Sequence, residues 1–378
     1  MKIVFCLDTI GFLGGMESVT VTKVNALSQI EGNEVWVVIT EKIKEPQPIV
    51  SPRIHMVNLD VGYHEVRRKW PTNIIPLIIR QFRHRRRLAF VLGKIDPDIV
   101  VSVGGFEKYI TPFIKGRWKL LREIHNVADS RRRVEQKCLR RISATFRDWL
   151  DYDFITPRFY DHIIVLTQRA KEKFRADDNR ISVIPNPSRF RPESISFSPH
   201  NRIIAVGRLE NEKCFTSMIK AYSLVSKRFP EWKLDIYGEG SNRPLLMSMI
   251  EEYGLSGIVR LRGFTADIEK ELLSSSLLAM TSRFESFGMV LVEAMSCGLP
   301  VVAYDCPVGP GTIITDGNDG FLVPFGDEKA MADRLGQLMC DQGLREKMGR
   351  NAFESSRRYS VDLVIAEWME LFKKVLDG

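Results

Sequence analysis

LLAMTSRFESFGMVLVEAMSCGLPVVAYD, Leu277–Asp305, decides the fold. Its first apolar run, ending near Arg283, reads as a buried strand, and Val301–Asp305 reads as another. Between them a helix begins near Gly288. Strand, helix and strand in so short a span is the unit of a parallel sheet wrapped by helices. The stretch also holds two glutamates, Glu285 and Glu293, eight positions apart. An apolar helix needs neither, so a chemical reason is required.

The alternation extends on both sides. Upstream, RIIAVGRL, WKLDIYGEG and IVRLRGF read as strands separated by helical segments, and GFLVPFGD follows downstream. NPSRFRPESISFSPHN, residues 186–201, is rich in Pro and Ser without a clear period and reads as a linker. Before it, KIVFCLD, NEVWVVIT, DPDIVVSVG, DHIIVLT and ISVIPNP are buried strands of a second such region. The expected architecture is α/β, with two doubly wound Rossmann-like domains facing across a cleft. Domain bounds fall at 1–187 and at 188–361, with a last helix at about 362–378. No repeat marks a solenoid.

Composition excludes several classes. The chain has 378 residues, 44% of them apolar. Its six cysteines show no CxxC or paired spacing, which argues for reduced thiols rather than disulfides or zinc. The N-terminal apolar run is broken by Asp8 and reads as a strand, not a signal peptide. No apolar run is long enough to span a bilayer. These features suggest a cytoplasmic protein. The net charge of +8 is concentrated: Val66–Arg87 holds eight Lys/Arg and no acid, and Ser130–Arg141 holds six against one Glu. Two such segments in one half point to an anionic partner, either nucleic acid or lipid headgroups, or else to a solvated surface.

In doubly wound sheets, ligands sit beyond the carboxyl ends of the strands at the switch point. Functional residues are therefore sought just after strands. Gly14 and Gly15 follow the first strand and suit either close approach to a phosphate or a tight turn. Neither GxGxxG nor GxxxxGK[ST] is present, which disfavours nicotinamide and P-loop chemistry. Arg208 follows a strand and Lys213 lies five residues on. Together they suit a diphosphate, or a surface ion pair with Glu210 or Glu212. Glu285 sits over a strand end, and Gly288, Met289 and Val290 offer free helix N-terminal N–H groups. Glu293 lies about one turn inside. An anion at the helix start would have a carboxylate on each side, each able to accept paired sugar hydroxyls.

VGRLENEKCF, IYGEGSNRPLL, VRLRGF and SRFESFGMVLVEAMSCGLPVVAYDCPVGPGTIITDGNDGFLVPFGD resemble the retaining glycosyltransferases of family 4, which have the two-Rossmann GT-B fold. The resemblance is specific across roughly residues 200–330 and weaker at GFLGGMES and REIHN. It implies that Glu285 touches the donor sugar and Glu293 holds the nucleotide ribose. Arg208 and Lys213 would bind the diphosphate, and Gly15 would close on it. Phe287, Gly288, Met289 and Val290 would complete the donor site. His125 would contact the sugar near the reacting carbon. The catalytic set so implied is His125, Glu285, Arg208 and Lys213. The last helix would cross back to the first domain. Two positions depart from the family: Cys214 where it usually has Gly, and Thr312 where an acidic residue is common.

The resemblance implies a UDP-hexose or UDP-N-acetylhexosamine donor, retention by same-face attack, and no metal or other cofactor. The acceptor would be a glycan, free or lipid-linked, of a cell-surface polysaccharide or glycoconjugate. DYD at Asp151–Asp153 resembles a metal-binding DxD but lies away from the donor motifs and reads as coincidence. A nucleic-acid-binding protein is the main competing reading. It leaves Glu285 and Glu293 unexplained and lacks aromatics interleaved with the basic runs, so no nucleic-acid partner is expected. A phosphorylase or sugar–sugar synthase on the same fold is the other. From Pro76 a helix would set Ile78, Ile79 and Phe82 on one side and Arg80, Arg83 and Arg87 on another. That composition suits peripheral attachment to an anionic membrane at its inner face, or ordinary packing with solvated arginines.

Overall fold

The computed structural model describes residues 1–10, 15–41, 50–63, 74–125, 148–174, 178–190, 195 and 200–378. Gly14, the Val66–Asn73 part of the first basic segment, and all of Ser130–Arg141 lie outside the described residues. The chain forms two compact units, Met1–Pro187 with Val361–Gly378, and Ser188–Ser360.

The first unit holds strands β1 (Lys2–Leu7), β2 (Glu34–Ile39), β3 (Ile54–Asn58), β4 (Ile99–Gly104), β5 (Lys119–Ile124), β6 (His162–Val165) and β7 (Ile181–Val183), in the order β3-β2-β1-β4-β5-β6-β7. Every pairing is parallel. The second holds β8 (Arg202–Val206), β9 (Lys233–Tyr237), β10 (Val259–Gly263), β11 (Leu277–Met280), β12 (Val301–Asp305) and β13 (Gly320–Pro324), also all parallel, in the order β10-β9-β8-β11-β12-β13. In each sheet the chain moves outward from a central strand, then crosses back to the other side. The switch point lies between β1 and β4 in one unit and between β8 and β11 in the other.

Central strands are buried on both faces, and their sequences read as continuous apolar runs. In the first unit, helix α1 (Gly15–Leu27) packs one face together with the last helix, Val361–Asp377. That helix buries Val364, Ile365, Trp368, Leu371 and Phe372 against Ile3, Phe5 and their neighbours. Helix α2 (Ile74–Ile95) covers the other face through His84, Leu88 and Leu92. It starts before Pro76, not after it, because the ring occupies the first turn, where no intrahelical N–H bond is lost.

Strand β11 ends at Met280, three residues short of Arg283. Thr281 leaves the ladder and gives its hydroxyl to the carbonyls of Lys213 and Cys214, each at 3.1 Å. The first residues of the supposed linker are not loose. Ser188 and Phe190 are buried, and Ser188 N–H donates to the Tyr359 carbonyl at 2.8 Å. Among the described residues, no helix is long and apolar enough to cross a membrane.

Candidate active site

The carboxyl ends of β8 and β11 flank the switch point of the second sheet, and every donor-type residue predicted there is carried by the loops and the helix that follow them. After β8, Gly207 and Gly238 permit close backbone contact, since a side chain at Gly238 would meet the Gly207 carbonyl at 1.9 Å. The chain then makes a single 3-10 turn, Asn211–Lys213, and enters helix α3 (Phe215–Val225) through Cys214. Arg283 N–H donates to the Glu212 carbonyl at 2.8 Å, tying this turn to the loop after β11.

Lys213 and Glu285 meet in a direct ion pair, their side chains 21% and 14% exposed. Ser282 Oγ donates to the same carboxylate oxygen at 2.8 Å. The Glu285 carbonyl accepts from Gly309 N–H at 3.0 Å, which fastens the next loop beneath it. Helix α4 (Met289–Ser296) begins at Gly288, whose φ of 104° turns the chain into the helix. Only glycine adopts that angle without strain. The N–H groups of Met289 and Val290, first in the helix, have no intrahelical partner. Phe287 is buried edge-on to Tyr359 at 5.6 Å, so its side chain supports the loop from within.

Arg208 is exposed and lies 3.8 Å from Glu212, the surface pair that its spacing allowed. Glu210 instead accepts from the Ser241 N–H and hydroxyl at 2.9 and 2.8 Å. Glu293 is mostly buried. Burial pushes its carboxyl up to about 7, against the pull of Arg189 at 3.3 Å. Arg189 was not foreseen: it lies in the segment read as linker, and nothing in its spacing marks it as facing α4.

In the first unit Gly15 opens α1, as a strand-to-helix junction requires. His125 directly follows β5 and is 7% exposed, with Nε2 3.1 Å from Glu123 Oε1. Asp151 of the DxD-like triplet is buried, paired with Lys108 and accepting from Thr156 at 2.9 Å. Arg122 lies 3.9 Å away, so its charge is already balanced.

A profile described as Glycosyltransferase Family 4 matches residues 13–187, and one described as Glycosyl transferases group 1 matches residues 188–355. The chain belongs to glycosyltransferase family 4. Among solved structures, that of Anabaena HepE with UDP-glucose superposes with a TM-score of 0.74 at 18% identity, covering 99% of this chain and 100% of that one, which establishes the GT-B fold. Among curated relatives, the exopolysaccharide phosphotransferase of Streptomyces coelicolor is 34% identical over 57% of this chain and 24% of its own length. The amylovoran biosynthesis glycosyltransferase AmsD of Erwinia amylovora is 31% identical over 56% of this chain and 62% of its own. The chain thus spans less than two thirds of either relative.

Both departures of this chain from its family are visible. Cys214 takes the left-handed conformation, φ 49°, that glycine adopts freely. The Thr312 hydroxyl donates to the Val308 carbonyl at 2.9 Å. It is therefore held within its own loop.

Proposed function

We propose that the enzyme moves a hexosyl or N-acetylhexosaminyl group from a UDP-sugar to a hydroxyl of a cell-surface glycan, with retention at the anomeric carbon. The observation that carries this is the gathering of Lys213, Glu285 and the α4 N-terminus at one switch point, with Arg208 just before the Lys213 turn and Glu293 one turn into α4. The second unit takes the donor and the first takes the acceptor. HepE, of the same fold, binds UDP-glucose.

Without donor, Lys213 and Glu285 neutralise each other. A bound donor separates them: the diphosphate takes Lys213, and the sugar hydroxyls take Glu285. Glu293 accepts from the ribose. In the reaction the bond from the anomeric carbon to the diphosphate oxygen breaks, and the electron pair leaves with UDP. The acceptor oxygen attacks from the same face and its proton passes to the departing diphosphate. Lys213, Arg208 turned from Glu212, and the Met289 and Val290 N–H groups stabilise the growing negative charge. These cations do what a metal would do, so chelation by EDTA is expected to leave turnover intact. Arg208→Ala or Lys213→Ala should lower turnover on the order of 10²–10³-fold. Wild-type turnover in both, measured as UDP release from UDP-glucose, would reject the donor-site assignment. A nucleic-acid-binding protein would instead be stabilised against heat by an oligonucleotide and not by UDP.

The acceptor is proposed to be lipid-linked, with the first unit resting on an anionic bilayer from its cytoplasmic side. On α2, Arg80 donates to the Val61 carbonyl at 2.7 Å and Arg87 to the Asp60 carbonyl at 2.8 Å. Meanwhile Ile78, Ile79, Phe82 and Phe90 point outward at 45–69% exposure. These apolar side chains are therefore not packed into the first unit, while Arg83, Arg85, Arg86 and Arg87 are exposed alongside them. Arg83 and Arg86 stay exposed beside Phe82 and Phe90. Binding to anionic vesicles that salt reverses supports the reading; equal binding to neutral vesicles rejects it.

A further inference from the structure

The core of the first unit contains an ion pair that packing does not require. Lys23 of α1 is fully buried and Glu123 of β5 is 1% exposed, and the two side chains are in direct contact. Lys23 Nζ also sits 4.8 Å over the Trp368 ring. A buried ion pair gains little net stability, because desolvation offsets the attraction, and an apolar pair of similar volume commonly serves as well. The charges are explained by a third residue. Glu123 and His125 are two apart on extended chain, so their side chains leave on the same face. His125 Nε2 reaches to 3.1 Å from Glu123 Oε1, the oxygen that also meets Lys23. Among the described residues, Glu123 Oε2 and His125 Nε2 are both buried without an aligned hydrogen-bond partner, and the imidazole and carboxylate face one another. An ionised carboxylate only accepts, so the ring nitrogen facing it carries the proton.

We infer that Glu123 is a positioning residue for His125, fixing the ring with Nε2–H toward its carboxylate and Nδ1 turned away from it, and that Lys23 is its buried counter-charge. The inference rests on the reading of His125 as an active-site residue. Burial alone would raise the Glu123 carboxyl, but Lys23 and His125 overcome it and hold the group down at about 2. Glu123 is therefore an acceptor throughout the working range. A ring so fixed presents Nδ1 to a sugar hydroxyl, and the second nitrogen's partner decides which is protonated.

The test uses the full chain with UDP-glucose hydrolysis, UDP titration and ¹⁵N spectra of the histidine rings. Glu123→Gln replaces an obligate acceptor with a group that also donates. It should move His125 toward the Nδ1–H tautomer and lower kcat on the order of 10–100-fold, as when the group orienting a functional histidine is removed. UDP affinity should hold, since the UDP-binding residues other than Gly15 lie in the second unit and Gly15 is not altered. Glu123→Gln leaves Lys23 without its counter-charge, so Lys23→Met with Glu123→Gln supplies a folded form free of buried charge. Glu123→Asp keeps the charge but draws it back from the ring. Expected is a lowered kcat in all three, with an altered His125 signal. A folded double variant with wild-type kcat and an unchanged His125 signal would overturn the inference. Wild-type kcat in His125→Ala would instead reject the role of His125 itself, and the positioning of it along with that role.

Discussion

Glu293 is a carboxyl on an apolar helix, raised by burial from an ordinary 4.5 to about 7 and restrained by Arg189. A group so raised binds its proton more tightly when folded. Its contribution to stability is present below pH 4.5 and is lost as pH rises toward 7. Ribose binding has the opposite sign, since only the ionised form accepts both hydroxyls. UDP affinity, followed by calorimetry from acid to alkaline pH, should climb through pH 7, and Arg189→Ala should move that rise to higher pH. Glu293→Gln should flatten the profile and weaken binding by about 1.5–3 kcal/mol, the worth of hydrogen bonds to a charged group. Unchanged profiles in both variants would remove Glu293 from the ribose. Strain marks the same neighbourhood. Cys214 at φ 49° and Val308 at φ 85° are left-handed without being glycine, and Val308 bridges to Glu285. A left-handed L-residue costs about 1–2 kcal/mol, and glycine loses about 0.4–1 kcal/mol through the unfolded chain. Cys214→Gly should therefore raise the melting temperature slightly; a clear fall would show that its thiol contact with the Asn211 carbonyl outweighs the strain.

At the scale of elements, α4 depends on one backbone angle. Gly288→Ala would put a Cβ at φ 104° and 3.2 Å from Leu291 Cδ1. The expected result is a loss of about 1–2 kcal/mol in stability and roughly tenfold weaker UDP binding, equivalent to about 1.4 kcal/mol. Wild-type UDP affinity would dissociate the helix start from the anion. Which elements were legible follows from their burial. Strands such as β1, β4 and β12 are buried and largely apolar because helices cover both faces, and a run of that kind is visible in sequence. Strand β3 escaped because it is an edge with three of its five residues exposed. Strand β5 escaped because Arg122 and Glu123 interrupt its apolar run, although both are buried. One of the charges that conceal β5 from a hydrophobicity reading, Glu123, is the one that faces His125. The carbonyl bonds of Arg80 and Arg87 were equally invisible, since charge alone does not reveal where an arginine finds its partner.

At the scale of the molecule, the last helix decides whether one unit can exist. Val361–Asp377 follows the second unit in sequence, yet its apolar face completes the core of the first. It buries Val361, Val364, Ile365, Trp368, Leu371, Phe372 and Val375. Fully burying each such side chain is worth about 1.5–3 kcal/mol, and a domain has only about 5–15 kcal/mol of net stability. Ending the chain at Ser360 should therefore leave the first unit unfolded, with Lys23 deprived of the Trp368 ring and the β1 core open to water. The second unit keeps its own sheet, core and donor residues. The truncated chain should show one cooperative melting transition that UDP shifts upward, and the hydrogen-exchange protection of β1, β2 and β4 should vanish while that of β8, β11 and β12 persists. Retained protection in β1 would mean that α1 closes that face unaided. Loss of the UDP-dependent transition would mean that the second unit cannot fold as a separate body, contrary to its self-contained core.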